Sequence, residues 1–215
     1  ETATNTLITG CQNTTIPQSV TSIRNYAFAG CSNLNSINIH KNILSIGIHS
    51  FGNCYAVTSI IVEDGNAVYD SREGCNAIIE TATNTLMVGC QTTVIPSTIT
   101  TIGDYAFSNR STSNNPIVIP NGVTTINEGA FWCCSFESIT IPESVTSIGR
   151  QAFAYSSSLT SIYVKSITPP TLGSNDVFTS KPTCYIPVGT LAAYQESSWA
   201  SQVGSFVEQE EVILT

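Results

Sequence analysis

The sequence predicts a solenoid, a right-handed α/β-type superhelix that is mostly β, with short parallel strands on its concave face and little helix. Two observations support this prediction. A short apolar motif recurs along the chain at nearly constant spacing. Only 10% of the 215 residues are charged, well below the roughly 25% of an average soluble domain. The polar surface must therefore be built from Ser, Thr and Asn, which favours β structure.

The repeat determines the domain organisation. Four segments align without a gap: IPQSVTSIRNYAF (16–28), IPSTITTIGDYAF (95–107), IPNGVTTINEGAF (119–131) and IPESVTSIGRQAF (141–153). The isoleucine or valine that opens each unit lies at residues 16, 39, 62, 95, 119, 141, 164 and 186, with differences of 23, 23, 33, 24, 22, 23 and 22. Units of about 20 to 29 residues are typical of leucine-rich repeats. We expect one domain over 1–215 with eight turns, an insertion at about 63–91 and a C-terminal cap at about 187–215.

Each unit predicts one strand followed by a return segment. Apolar residues alternate in LNSINI (34–39), FESITI (136–141) and LTSIYV (159–164), as in a half-buried strand. Proline follows five of these strands and ends them, because it has no N–H for strand pairing. The return segments carry phenylalanines that we expect to stack as an apolar spine: Phe28, Phe51, Phe107, Phe131 and Phe153. One unit cannot bury this face alone, so neighbouring units complete the core.

The residue between the two core isoleucines of each strand should point away from the core. Stacked strands would place these residues in a stripe on the concave face, about 4.8 Å apart. The stripe consists of Thr15, Asn38, Ile61, Val94, Val118, Thr140, Tyr163 and Tyr185. Five of these eight residues are apolar or aromatic, which predicts a surface that binds a protein partner. The β propensity of Ile, Val and Tyr is an alternative explanation for the same residues.

Other classes of function find little support in the composition and motifs. A net charge of -8 without a basic cluster argues against nucleic acid, and no stretch approaches the roughly 20 apolar residues of a membrane span. His40 and His49 lie in no catalytic or metal-binding motif and are interpreted as repeat variation. The spacing of Asp64, Asn66 and Asp70 does not fit a calcium loop and suggests a solvated loop. We expect no catalytic residue, no metal and no cofactor.

The cysteines divide into two groups by position. Cys31, Cys54 and Cys134 each follow a spine phenylalanine by three residues, and we interpret them as small buried thiols that cap a turn. Cys75 and Cys90 lie on two predicted strands of a hairpin around 82–83. Since 75 + 90 equals 82 + 83, they should face each other. A disulfide and a reduced pair are both compatible with this arrangement.

Both ends of the chain carry further signals. ETATNTLITGCQNTTIP (1–17) reappears as ETATNTLMVGCQTTVIP (80–96), an offset of 79 residues. In the second copy the repeated segment completes a hairpin, so we expect a longer exported protein in which a similar strand precedes Glu1. Near the other end, Thr190 should cap a helix over Leu191–Tyr194, and Trp199 should cover the last turn of the solenoid.

The repeat unit resembles the BspA-like leucine-rich-repeat family of surface proteins, whose pattern is IPxxVTSIGxxAFxxCxxLTSI. The resemblance extends over nearly the whole chain. It implies export, display at the cell surface, and adhesion to a protein ligand such as a host extracellular-matrix or surface protein, and it implies no enzymatic chemistry. We expect a monomer. A structural spacer without a ligand of its own is the alternative function.

Overall fold

The computed structural model describes residues 5–11, 14–110 and 117–210. Glu1–Thr4, the start of the duplicated segment, and the last five residues of the expected cap lie outside this description. The chain is a solenoid that is mostly β, with one short α-helix, as the repeat predicts. Each turn contributes strands to one or both of two separate rows.

The first row, here called the long-strand face, contains strands of four or five residues. They are β3 (Ser36–Ile39), β5 (Ser59–Val62), β11 (Ser138–Ile141), β13 (Ser161–Val164), β15 (Thr183–Pro187) and β16 (Ser205–Gln209). β3 pairs with β5, and β11, β13, β15 and β16 form a second parallel sheet. β16 extends this face beyond the predicted strands.

The second row contains two-residue strands from the V-T-S-I part of the repeat, which the sequence did not predict as strands. They are β1 (Thr6–Leu7), β2 (Ser22–Ile23), β4 (Ser45–Ile46), β9 (Thr101–Ile102), β10 (Thr125–Ile126), β12 (Ser147–Ile148) and β14 (Thr171–Leu172). Neighbours pair in parallel, with Ser or Thr beside Ser or Thr and a buried isoleucine beside its equivalent in most pairs.

The eight repeat units, each expected to contain one strand, do not form a continuous sheet. The segments that carry Thr15, Val94 and Val118 are not strands. The insertion is the physical reason at Val94, because its backbone N–H donates to the carbonyl of Cys75 at 3.1 Å rather than to β5. The long-strand face is therefore interrupted.

The insertion lies inside the solenoid. It contains β6 (Tyr69–Asp70), β7 (Ala77–Glu80) and β8 (Thr85–Gly89), which continue the second row in the order β9, β8, β7, β6. Ala77, Ile78 and Ile79 are fully buried. The buried residues form two cores, an N-terminal core around Phe28 and Phe51 and a C-terminal core around Phe107, Phe131 and Phe153. Ile78 packs with the N-terminal core, whereas Ala77 and Ile79 pack with the C-terminal core. β7 thus separates two hydrophobic cores, which explains why both its faces are apolar.

The expectation that Cys75 and Cys90 face each other was also wrong. Ile79 pairs with Leu86 as the hairpin predicts, but a bulge between Ile78 and Ile79 shifts the register by one residue. A shift of one residue sends side chains to the opposite face of a sheet. Cys75 consequently lies in the C-terminal core and Cys90 in the N-terminal core, and the two thiols form no disulfide.

The phenylalanine spine is confirmed. Ring centroids lie 5.1 Å apart for Phe28 and Phe51, and successive rings from Phe107 through Phe131 and Phe153 lie 5.4 and 5.2 Å apart. Phe178 adds one further ring, and Trp199 packs against it in a tilted arrangement with ring centroids 5.3 Å apart. The spine is interrupted between Phe51 and Phe107, where the hairpin crosses the solenoid.

The predicted buried thiol caps are confirmed at Cys54 and Cys134 but not at Cys31, which is half-buried and whose thiol donates to the carbonyl of Gly10 at 3.6 Å. The thiol of Cys54 donates to the carbonyl of Phe28 at 3.2 Å, and that of Cys134 to the carbonyl of Phe107 at 3.1 Å. Ser156 occupies the same position one turn later and donates to the carbonyl of Phe131 at 2.9 Å. This repeat position therefore supplies a hydrogen bond between neighbouring turns.

The C-terminal cap has a helix where the sequence predicts one, α1 (Leu191–Glu196), followed by a short 3-10 segment over Ser198–Ser201. Trp199 is fully buried at the end of the spine, and its indole N–H donates to the carbonyl of Pro170 at 2.8 Å. Thr190 stands at the N-cap position but makes no capping bond, because its hydroxyl donates to the carbonyl of Pro187. The carboxylate of Glu208 accepts from the backbone N–H of Leu191 instead.

Candidate functional site

The predicted stripe lies at the surface. Ile61, Val94 and Val118 expose 53%, 70% and 74% of their surface, although aliphatic side chains of this size are usually buried. Thr15, Asn38 and Thr140 are exposed too, and the two tyrosines are half-buried. These positions therefore make little contribution to the core, and their apolar character needs another explanation.

Strand pairing brings some stripe residues together and leaves others apart. Asn38 lies beside Ile61 on β3 and β5, and Thr140 lies beside Tyr163, which lies beside Tyr185. The rings of the two tyrosines stack with centroids 4.7 Å apart. Val94 and Val118 belong to segments outside the sheets, so no strand register aligns them with their neighbours.

Sequence reasoning missed one member of the stripe. Val207 on β16 lies beside Tyr185 and is 41% exposed. Its spacing of 22 residues from Tyr185 matches the repeat, and the alternation in SFVEQ is typical of a strand. The missing proline and the intervening helix concealed this signal. The stripe thus continues to the last described strand of the face.

Three grooves border the stripe. The N-terminal groove, of about 510 Å³, lies between residues 14–18 and β3 and is bordered by Thr15, Asn38 and Ile61. The central groove, of about 600 Å³, lies between residues 117–121 and β11 and includes Val118 and Thr140. The C-terminal groove, of about 410 Å³, lies beside Tyr163 and Tyr185. Sites for ligands typically enclose about 300 to 1,000 Å³, so each groove is large enough for part of a partner.

The N-terminal groove has the most apolar floor of the three. Phe28, Leu34 and Phe51 reach it from the N-terminal core. Its rim is polar, with Glu63 at one end and His40 beside it. The imidazole Nε2 of His40 lies 3.0 Å from the carbonyl of Pro17 and so joins the two walls. His40, expected as mere repeat variation, therefore has a structural contact.

His49 is also accounted for by packing. Its ring stacks with Tyr26 at 5.4 Å between centroids and lies 3.8 Å from the ring of Tyr105, so it bridges the two halves of the solenoid. Burial lowers the pKa of His49, against the opposing charge of Asp104. These contacts stabilise the junction between the N-terminal and C-terminal repeats.

Two of the three oxygen-bearing residues that the sequence singled out in the insertion, Asn66 and Asp70, have partners within the chain. The side chain of Asn66 donates to the carbonyls of His40 and Ile43 and accepts from Val68 and Tyr69, so the expected solvated loop is wrong at this residue. Asp70 forms a salt bridge with Arg72 at 2.6 Å. Within residues 5–11, 14–110 and 117–210, no cluster of three or more His, Cys, Asp or Glu side chains could hold a metal ion.

Four of the buried thiols, those of Cys54, Cys75, Cys134 and Cys184, have little nucleophilic character at neutral pH. Burial raises the pKa of Cys54 to about 11 and that of Cys134 to about 12, since the thiolate would lose its hydration. Cys75 and Cys184 are shifted in the same direction for the same reason. Only the thiolate reacts or binds metals, so these residues act as structural groups.

A solenoid of short repeats with parallel strands and an exposed stripe of side chains is typical of leucine-rich-repeat proteins. The chain belongs to the family of the BspA type leucine rich repeat region, whose model matches six copies over residues 7–75 and 84–179. A comparison with curated proteins gave no match. None of the described helices is long and apolar enough to cross a membrane.

Three solved structures share the fold. A leucine-rich repeat protein from Eubacterium ventriosum is 22% identical with a TM-score of 0.67, over 89% of this chain and 53% of that one. A leucine rich cell surface protein from Faecalibacterium prausnitzii is 22% identical with a TM-score of 0.63, over 92% and 54%. The pneumococcal vaccine antigen PcpA is 16% identical with a TM-score of 0.55, over 91% and 61%. The chain thus spans little more than half the length of the first two.

Proposed function

We propose that this chain is a non-enzymatic binding module of an exported bacterial surface protein, and that its long-strand face binds a protein partner. The single observation that carries the proposal is the exposed apolar stripe. Three aliphatic side chains, Ile61, Val94 and Val118, expose more than half of their surface at equivalent positions of the repeat. Exposed apolar patches bordered by polar residues mark interaction surfaces in soluble proteins.

The family supports the same function. Proteins with this repeat are generally protein-interaction modules, and one solved relative is described as a cell surface protein. We place this chain at the bacterial surface as a single monomeric domain, with an extracellular-matrix or host surface protein as its ligand. Large aromatic and aliphatic anchors carry most of the energy of such interfaces, so Val118 and Tyr163 are the residues to test.

The experiment measures capture of the soluble chain by an immobilised basement-membrane extract. The double variant Val118→Asp/Tyr163→Asp should lose binding, because two carboxylates would be desolvated in the interface. The control is Leu44→Asp/Ile48→Asp, which adds the same charge at two apolar residues that are 54% and 52% exposed and lie outside the stripe. Equal binding by both variants would contradict the proposed surface, and background binding by the unchanged chain would favour a spacer.

A further inference from the structure

β3 has a free edge on the side away from β5. The carbonyls of Asn35 and Ile39 accept from the backbone N–H groups of Thr58 and Glu63 at 3.0 and 2.8 Å, so the odd-numbered residues direct their backbone groups toward β5. In a parallel sheet the alternate residues, Ser36 and Asn38, direct theirs to the opposite side. No backbone hydrogen bond joins residues 36–40 to residues 14–18, all of which the structure describes.

The fold covers the corresponding edge of β5. The backbone N–H of Ile60 donates to the side-chain oxygen of Asn76 at 3.3 Å, and that of Val62 to the hydroxyl of Ser71 at 3.0 Å. Natural proteins commonly cover the edges of sheets in this way, because uncovered edges pair with other chains. Within residues 5–11, 14–110 and 117–210, no group covers the edge of β3 in this way, and this edge faces the N-terminal groove.

The groove matches an extended peptide in shape and chemistry. Unpaired backbone groups of β3 form one wall, and Phe28, Leu34 and Phe51 form an apolar floor. At about 3.3 Å per residue, a segment of four residues spans about 13 Å, the length of β3 itself. Glu63 is the carboxylate on the rim, which favours a basic residue at the end of the occupant.

We infer that an extended segment of the partner protein adds to the free edge of β3 as a further parallel strand. Backbone hydrogen bonds to Asn38 hold it, an apolar side chain rests on the floor, and a Lys or Arg lies near Glu63. Strand addition of this kind draws affinity from the main chain and specificity from alternate side chains. The inference rests on the proposed function and specifies the chemistry of the partner.

The probe is a fluorescein-labelled peptide of residues 158–165, SLTSIYVK. In the protein this segment contains β13, which pairs in parallel with strands on both sides. In register with β3, its C-terminal lysine would lie beside His40 and close to Glu63. Fluorescence anisotropy should show saturable binding to the whole chain, and a scrambled peptide should not bind.

Two variants at residue 38 distinguish the contribution of the backbone N–H to peptide binding from that of the side chain. Asn38→Pro removes the N–H from the free edge, where proline is tolerated, and should weaken binding at least about tenfold. Asn38→Ala keeps that N–H and should change affinity by less than about twofold. Circular dichroism and thermal unfolding of both variants should match those of the unchanged chain, so that a loss of binding is not caused by unfolding. Equal losses in both variants would overturn strand addition, as would the absence of saturable binding to the unchanged chain.

A peptide with glutamate in place of its final lysine tests the charge on the rim. It should bind several-fold more weakly at low ionic strength, and the difference should disappear as salt screens Glu63. Equal affinity of the two peptides at low salt would contradict the inferred preference for a basic residue near Glu63. The variant Val118→Asp/Tyr163→Asp can lose binding to the matrix extract even if the peptide does not bind the unchanged chain. In that case strand addition is wrong and the proposed binding face still stands.

Discussion

Gly89 lies directly against the ring of Phe107: a Cβ at residue 89 would come within 2.2 Å of the ring carbon Cε1. Gly10, its duplicate 79 residues earlier, has the same relationship with Phe28, at 2.1 Å. In both copies the backbone N–H of the glycine also donates to the alanine carbonyl that precedes the phenylalanine, at 2.8 Å for Gly89. Each glycine therefore lets the backbone pass close over the first ring of a spine segment.

Replacing Gly89 with alanine should destabilise the fold by about 1 to 3 kcal/mol, because the buried ring has no space to move. Denaturant unfolding measures the change. The double variant Gly89→Ala/Phe107→Leu provides the control, since a smaller side chain relieves the contact and the two effects should not add. Additive losses would show that the glycine acts through the backbone rather than through the ring.

Glu208 should stabilise helix α1. Its side-chain oxygen lies 2.8 Å from the backbone N of Gly189 and 3.1 Å from that of Leu191, where the helix begins. A carboxylate at this end satisfies unpaired N–H groups and interacts with the helix dipole. We expect Glu208→Gln to lower the free energy of unfolding by about 0.5 kcal/mol in low salt and by less in high salt. A loss that is independent of salt would contradict a role for the charge.

The fold should lose stability as the pH rises above about 9. Burial raises the pKa of Cys134 from 9.0 to about 12 in the folded chain, so between these values the unfolded chain releases the thiol proton and the folded chain keeps it. Stability is then fully present below pH 9 and is lost as pH rises toward 12, by up to about 1.4 kcal/mol per pH unit for this thiol.

The variant Cys134→Ser tests this dependence. Ser156 shows that a hydroxyl at the same repeat position donates to the preceding phenylalanine carbonyl, so the hydrogen bond should persist. Unfolding followed from pH 8 to 11 should show a shallower decline for Cys134→Ser than for the unchanged chain. Parallel curves would mean that Cys134 does not titrate between the two states.

The sequence predicted the features that depend on the repeat itself. The stacked phenylalanines, the outward positions of the stripe and the thiol at Cys54 follow from a constant spacing, because each turn repeats the environment of the one before. The stripe was located correctly as exposed positions, and its partner is still a prediction. Tyr163 and Tyr185 are half-buried rather than fully exposed, because their stacked rings cover each other.

Features that depend on the path of the insertion could not be read from local patterns. The bulge leaves Met87 on β8 as an extra residue between the partners of Ile78 and Ile79, and the alternation within β7 cannot show such a shift of register. The interruption of the long-strand face at Val94 also results from the insertion, since the backbone N–H of Val94 donates to the carbonyl of Cys75. A third miss, Thr190, has the right residue type for a cap, but Glu208 approaches from a distant strand.

Trp199 should be essential to the C-terminal end of the solenoid. It is fully buried, its ring packs against that of Phe178, and its indole N–H donates to the carbonyl of Pro170. Replacing it with aspartate would place a charge against the last ring of the spine and expose the final turn, so we expect Trp199→Asp to unfold this end and aggregate. Trp199→Phe keeps an aromatic ring against Phe178 and loses the hydrogen bond, and it should remain soluble with a loss of about 1 to 3 kcal/mol. Size-exclusion chromatography and thermal unfolding of the two variants separate these outcomes. If Trp199→Asp were monomeric and as stable as the unchanged chain, the end of the solenoid would be closed by α1 and β16 without the tryptophan.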